Sequence, residues 1–250
     1  MAGRLEKRSA VVTGGSRGIG AAIVTAFASE GADVMFCHDG DHEGAAKVVE
    51  SAASTGRKVR SAECDVSDPA AVAAFWAETE RDFGSIDILV NNAGIGGETP
   101  FEHIKLETFD HMIAINLRAL FQFAQLAAPA MRGRRWGRII NIASQLAYKG
   151  APGLVHYCAA KAGVVGLTRA LAAELAAEGV LVNAIAPGLV DTRLNDGLTA
   201  EWKAWKLSQL PLGRIGAPKD IAPTAVLLAS ADGDYYVGQT LSPNGGDVFL

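Results

Sequence analysis

The chain has 250 residues, of which 49% are hydrophobic and 20% charged, and its formal net charge is −4. That composition suits a globular protein with enough apolar side chains for a large core, and it excludes a disordered chain. The acidic balance argues against a nucleic-acid-binding surface, which carries a basic excess, and leaves a small-molecule substrate open.

The segment from Met1 to Ser9 is short and charged, and the apolar run after it is too brief for a signal sequence or a membrane span. A cytoplasmic location without membrane contact is expected. Short apolar runs at 10–13, 32–37, 59–62, 86–91, 137–143 and 181–186 predict buried strands. Longer stretches at 19–30, 41–54, 70–83, 106–131, 155–177 and 219–230 predict helices between them. Such alternation implies parallel βαβ units, and strands apolar on both faces need helices on each side of the sheet. The expectation is a doubly wound α/β fold forming a single domain over 1–250. The irregular connections 94–100 and 187–212 follow strands, at the sheet end where open α/β folds bind ligands.

After the first strand comes Thr13-Gly14-Gly15-Ser16-Arg17-Gly18-Ile19-Gly20. Glycines at 14, 18 and 20 permit a tight turn and let a pyrophosphate approach the free N–H groups of the helix that follows. This predicts a dinucleotide site. Further along, Tyr157 and Lys161 lie four positions apart in an Ala-rich helical stretch, one turn apart on the same face. A free tyrosine titrates near ~10, and an ammonium at ~4 Å would favour its phenolate by ~4 kcal/mol at an effective dielectric of ~20. Ser144 closes the 137–143 strand and opens a loop, a place from which reactive side chains meet ligands. The three cysteines, Cys37, Cys64 and Cys158, are scattered and read as small buried hydrophobes in a reducing compartment. His38, His42, His103, His111 and His156 show no metal-ligand spacing, so no metal is expected.

The glycine turn, together with Asn91-Asn92-Ala93-Gly94, Asn116, Ser144, Tyr157-Cys158-Ala159-Ala160-Lys161 and Pro187-Gly188, resembles the classical short-chain dehydrogenase/reductase family over nearly the whole chain. The resemblance implies a Rossmann-type sheet of about seven parallel strands and a homotetramer or homodimer. It implies that Ser144 holds the substrate oxygen and that Tyr157 transfers the proton. Lys161 would also hold the nicotinamide ribose, and Asn116 would support a water-mediated relay to the lysine. Ser16, Arg17, Ile19, His38, Asp39, Val66 and Asn92 join the glycines in the implied cofactor site. Asn91, Ala93 and Gly94 would pass the ribose and nicotinamide, and Pro187, Gly188, Val190 and Thr192 would orient the carboxamide. Asp65 is suited to accept from the adenine amino group, with a helix-capping role for the 65–68 region as the alternative.

NAD and NADP are separated by two residues that disagree. Asp39, nineteen positions after Gly20, can bond the ribose 2′-hydroxyl of NAD and repel the 2′-phosphate of NADP, whereas Arg17 in the glycine turn favours NADP. The balance tilts to NAD, although the preceding position, often acidic in NAD users of the family, is His38. Beyond the cofactor loop, Leu194, Leu198, Trp202, Trp205 and Leu207 form an amphipathic pattern within 189–212 that suits either a mobile substrate lid or a helix packed on the body or another subunit. Gln145, Leu146, Tyr148 and His156 flank the catalytic positions as candidate substrate contacts. One branch of the family reduces 3-oxoacyl groups on a carrier protein that docks on basic residues; Arg135 matches one such position, and Glu178 replaces a second. Arg132, Arg134, Arg135 and Arg138 then read as a solvated turn, and a small polyol, sugar or hydroxy-ketone is the expected substrate. A nicotinamide-sensing regulator could keep the glycines and lose the proton-transfer groups; the retention of Asn116, Ser144, Tyr157 and Lys161 together favours an enzyme.

Overall fold

The computed structural model describes residues 3–193, 197 and 199–249. Seven parallel strands form one sheet in the order β3-β2-β1-β4-β5-β6-β7. These are β1 (Ser9–Val12), β2 (Asp33–His38), β3 (Val59–Glu63), β4 (Ile88–Asn91), β5 (Gly137–Ile142), β6 (Val180–Ile185) and β7 (Thr240–Leu241). The expected doubly wound fold is present. Every residue of β4 and β5 is buried, as two covered faces require, whereas no residue of β3, at the sheet edge, is fully buried. β7 is two residues long and carries no apolar run for a sequence pattern to find.

On one face, α1 (Gly18–Ser29), α2 (His42–Ala52) and α9 (Pro218–Ala229) pack on a core containing Ile23, Phe27, Val34 and Ile140. On the other, α3 (Pro69–Phe83), α5 (Ala119–Arg134) and α7 (Val155–Leu175) close over Met35, Leu89 and Ile139. Phe123 centres this layer, edge-on to Phe75 at 6.1 Å and Trp76 at 6.3 Å. Its truncation to alanine would cost about 3–5 kcal/mol. Asp41 and Asp68 cap α2 and α3 through the N–H groups of Gly44 and Ala70, satisfying donors that a helix start leaves free.

The expected 106–131 helix is divided. α4 (Leu106–Ile113) passes through a single π-helical turn, Ala114–Arg118, into α5. One extra residue in a turn rotates the side chains that follow, and such bulges occur often at functional sites; this one carries Asn116. Two further helices, α6 (Leu146–Lys149) and α8 (Ala200–Gln209), fall in stretches that had been read as loop or as amphipathic pattern. Chain order reverses between β1 and β4, so the crevice beyond the carboxyl ends of these strands is where the topology opens a ligand site.

Candidate active site

That crevice is a cleft of about 840 Å³, within the usual range for small-molecule sites. Its floor is the glycine turn. Gly18 has φ +57°, and a Cβ on Gly20 would sit 2.1 Å from the Gly14 carbonyl oxygen, so neither position admits a side chain without displacing the backbone. Arg17 precedes α1 without capping it through its side chain, which leaves N–H groups of the first turn directed at the cleft. Two residues outside the glycine pattern hold the turn in place. The Thr13 hydroxyl accepts from the Asn92 and Ala93 N–H groups, both at 2.9 Å, and the Asn92 amide donates to the Thr13 and Gly14 carbonyls. Gly15 packs flat on Phe36, where a Cβ would lie 2.6 Å from that side chain.

Every residue assigned above to cofactor binding, Asn91 excepted, lines this cleft, from Gly14, Ser16, Arg17, Ile19 and Gly20 through His38, Asp39, Asp65 and Val66 to Asn92, Ala93, Gly94, Pro187, Gly188, Val190 and Thr192. Asn91 points into the core instead, where its amide donates to Asn141 at 2.9 Å and Asn141 donates to Thr168. The chain of bonds ties β4 to β5 and α7. Of the two aspartates near α3, Asp68 is the cap, while Asp65 faces the cleft and accepts from the Ser67 N–H at 2.8 Å. Bonds from Ser67 hold its carboxyl below the usual range.

Asn116, Ser144, Tyr157 and Lys161 meet in the same cleft. Ser144 lies two residues beyond β5, with its hydroxyl accepting from the Leu146 N–H at 3.1 Å. Burial pushes the Tyr157 phenol up, and a hydrogen bond from Ser144 opposes part of that rise. The spacing argument expected Lys161 to lower the phenol. In this arrangement the lysine lies 5.7 Å from the tyrosine ring centroid and donates to the Ile142 carbonyl at 2.9 Å. Burial lowers Lys161 itself to about 8. The Asn116 amide donates to the Met112 and Ile95 carbonyls, while its Oδ1 is buried without a partner among the described residues. That oxygen and the Lys161 ammonium both flank Gly94, at 2.7 Å and 3.5 Å from the place of an added Cβ.

Around the cofactor end, Asp39 is exposed at the rim. Arg17 is not free: its guanidinium donates to Asp41 at 3.2 Å. Burial alone would raise the Asp41 carboxyl, but bonds from Ser16 and the Gly44 N–H and the charge of Arg17 hold it low. Asp41, Asp191 and Arg193 had no sequence signal, since their proximity arises only when the loops after β2 and β6 come together. A second hollow of about 820 Å³ lies behind the glycine turn between α1, α2 and α9, and is lined by none of Asn116, Ser144, Tyr157 and Lys161.

The substrate contacts need correction. Gln145 and Leu146 do not line the cleft. Gln145 is buried and donates to Asp247, and the β5–α6 corner turns it away from Ser144. Nor do Tyr148 or His156 line it; His156 is 1% exposed inside α7. The arginine cluster is also more than a solvated turn. Arg138 is buried, pairs with Asp234 and stacks on Trp136 at 4.5 Å. Arg132 pairs with Glu178 at 2.7 Å, Arg134 donates to the Ile86 carbonyl, and Arg135 donates to the Ala177 carbonyl. In the 189–212 segment Leu194 and Leu198 lie outside the described residues, while Trp202 and Trp205 sit edge-on at 5.9 Å on α8. No described helix is long and apolar enough to cross a membrane, and no group of three or more His, Cys, Asp or Glu among the described residues could hold a metal ion.

Residues 14–247 match a family model described as enoyl-(acyl carrier protein) reductase. A 3-oxoacyl-[acyl-carrier-protein] reductase FabG of Staphylococcus aureus is 42% identical over 239 residues, covering 96% of this chain and 97% of the relative. Among solved structures, a proposed NAD(P)-dependent gluconate 5-dehydrogenase from Beutenbergia cavernae, with bound NADP, superposes with a TM-score of 0.92 at 38% identity over 97% of each chain. A short-chain type dehydrogenase/reductase from Mycobacterium marinum gives a TM-score of 0.92 at 34% identity, over 98% of this chain and 97% of that one.

Proposed function

The chain belongs to the classical short-chain dehydrogenase/reductase family and is an NAD(P)-dependent oxidoreductase acting on a CH–OH group; from that premise we propose that it interconverts a small polyol, sugar or hydroxy-ketone with its carbonyl partner, using Tyr157 as acid and base. The observation that carries this reading is the convergence of Ser144, Tyr157, Lys161 and Asn116 in one cleft with the glycine turn.

The residues present fit a nicotinamide dinucleotide. Gly18 and Gly20 leave room for a close-lying pyrophosphate, and the first turn of α1 offers N–H donors to it. When bound, the nicotinamide supplies or accepts the hydride. Gly94, Pro187, Gly188, Val190 and Thr192 would hold its nicotinamide half, and Asp39, Asp65 and Val66 its adenosine half. In the reducing direction the neutral Tyr157 phenol gives its proton to the substrate oxygen while the Ser144 hydroxyl donates a hydrogen bond to the developing alkoxide. Lys161, held on the Ile142 carbonyl beside Tyr157, would hold the nicotinamide ribose, and the unpaired Asn116 Oδ1 is an acceptor for a proton relay beyond it. Oxidation of an alcohol runs the same steps backwards. NAD is the favoured form, because Asp39 would repel a 2′-phosphate and Asp41 already engages the arginine that would attract one.

The preference for a small polar substrate rests on the acid at Glu178, paired with Arg132, on a surface where carrier docking calls for bases. The likeness to the Beutenbergia cavernae protein supports it. A second reading, reduction of 3-oxoacyl groups on a carrier protein, is favoured by the 42% identity to the Staphylococcus aureus reductase. We further propose a homodimer or homotetramer, supported by the exposed apolar side chains Leu106 and Phe121 on α4 and α5. The three free thiols support a reducing, cytoplasmic setting. Turnover followed by the near-ultraviolet absorbance of reduced nicotinamide tests the substrate reading. Sugars, polyols and hydroxy-ketones should react, and activity confined to 3-oxoacyl thioesters would replace it by the second.

A further inference from the structure

α8 is attached to the body in an unusual way. Trp205 and Leu207 remain exposed, and the residue of this helix that is buried is Lys206. Its ammonium meets both oxygens of Asp247, at 2.6 and 2.7 Å. No apolar residue within α8 is fully buried, so its hydrophobic hold is small and this ion pair is one of its anchors to the body. Asp247 takes two more donors. Lys149, at the end of α6, donates at 2.9 Å, and the Gln145 amide also donates. Burial alone would raise the Asp247 carboxyl, but bonds from these three partners outweigh it and hold the carboxyl below the usual range.

The location joins this cluster to the chemistry. Gln145 follows Ser144 in sequence, and its N–H donates to the Pro187 carbonyl at 3.0 Å. The Gly188 N–H donates to the Pro243 carbonyl at 3.1 Å, and Leu212, just past α8, donates to Gly245 at 3.0 Å. The segment after β7 therefore touches the nicotinamide-side loop, the serine loop and both ends of the α6–α8 cluster. We propose that Asp247 is a positioning residue for the substrate side of the cleft, fixing α8 against the Ser144 loop by holding Lys206, Lys149 and Gln145 at once. The inference rests on the oxidoreductase reading above for its kinetic consequence. It makes α8 a helix clamped ionically beside the Ser144 loop, between the alternatives of a free lid and a helix packed by its apolar face.

The test uses Asp247→Asn and Lys206→Met in the full chain. Each should raise the substrate KM about tenfold or more while the cofactor Kd, measured separately, changes by less than about twofold. Emission from Trp202 and Trp205 should shift to the red as α8 is released. The double variant should be no worse than the poorer single one, because both remove one interaction, and Asp247→Glu should recover part of the loss. Should the fold not survive a broken buried pair, Lys149→Met, which removes one donor and leaves Lys206 paired, should shift KM in the same direction by less. An unchanged KM and emission, additive effects, or a cofactor Kd that weakens as much as KM would overturn the proposal. If the wild-type chain turns over no carbonyl or alcohol, the oxidoreductase reading fails, and the emission shift still decides whether Asp247 holds α8.

Discussion

Replacing Lys161 with methionine should stabilise the protein while impairing catalysis. The lysine is 4% exposed and burial lowers it to about 8 from 10.5. That lowering corresponds to about 3 kcal/mol of penalty on the charged form. Because the folded value lies below the unfolded one, that penalty is complete below pH 8, where both states hold the proton. It is relieved as pH rises from about 8 to 10.5, where the unfolded chain binds more protons than the folded one. Methionine removes the penalty and leaves the Ile142 carbonyl without its donor, which costs about 1 kcal/mol. The net gain near neutral pH is about 2 kcal/mol, or a rise in Tm of roughly 4–8 °C for a domain of this size. Calorimetry of wild-type and variant without cofactor, at pH 7 and pH 10, reads both the gain and its disappearance. A variant less stable at pH 7, or a gain that persists unchanged at pH 10, would refute the reasoning.

Three further outcomes follow from the site. The rate of carbonyl reduction should fall as pH rises through about 8, because Lys161 then loses the positive charge it carries in the cleft, 5.7 Å from the Tyr157 ring; a profile flat from pH 7 to 9 would contradict this. Asp39→Ser combined with Asp41→Asn removes one carboxylate from the rim and frees Arg17, and should raise kcat/KM for NADP relative to NAD about tenfold or more, measured with a single substrate. Asn91→Ala should lower stability by about 1–3 kcal/mol through the orphaned Asn141 and leave the cofactor Kd unchanged; weakened cofactor binding without loss of stability would return Asn91 to the cleft.

What the sequence could reveal depended on how local the cause was. Strands β4 and β5 were legible because both faces are buried, and α7 because its apolar period runs through 21 residues. The glycine turn was legible because Gly18 and Gly20 are forced by backbone geometry within a few residues of each other. The break at Asn116 was not, since a π turn adds one residue without altering the composition of the helix that contains it. Asn91 was misassigned because its neighbours Asn92 and Ala93 do face the cleft, and in a strand adjacent side chains point to opposite faces. The anchoring of α8 had no local signature: Lys206 and Asp247 are 41 positions apart, and a lysine between two tryptophans and a leucine reads as the polar side of an amphipathic helix. Arg17 was similarly ambiguous until the fold brought Asp41 beside it.

The central claim is that Tyr157 transfers the proton in a nicotinamide-dependent carbonyl–alcohol exchange. Steady-state turnover of wild-type and Tyr157→Phe, with the cofactor Kd of each measured by titration, addresses it most directly. The account predicts a loss in kcat of at least about 10²–10⁴-fold, with cofactor affinity retained. A phenylalanine variant that turns over at the wild-type rate would contradict it.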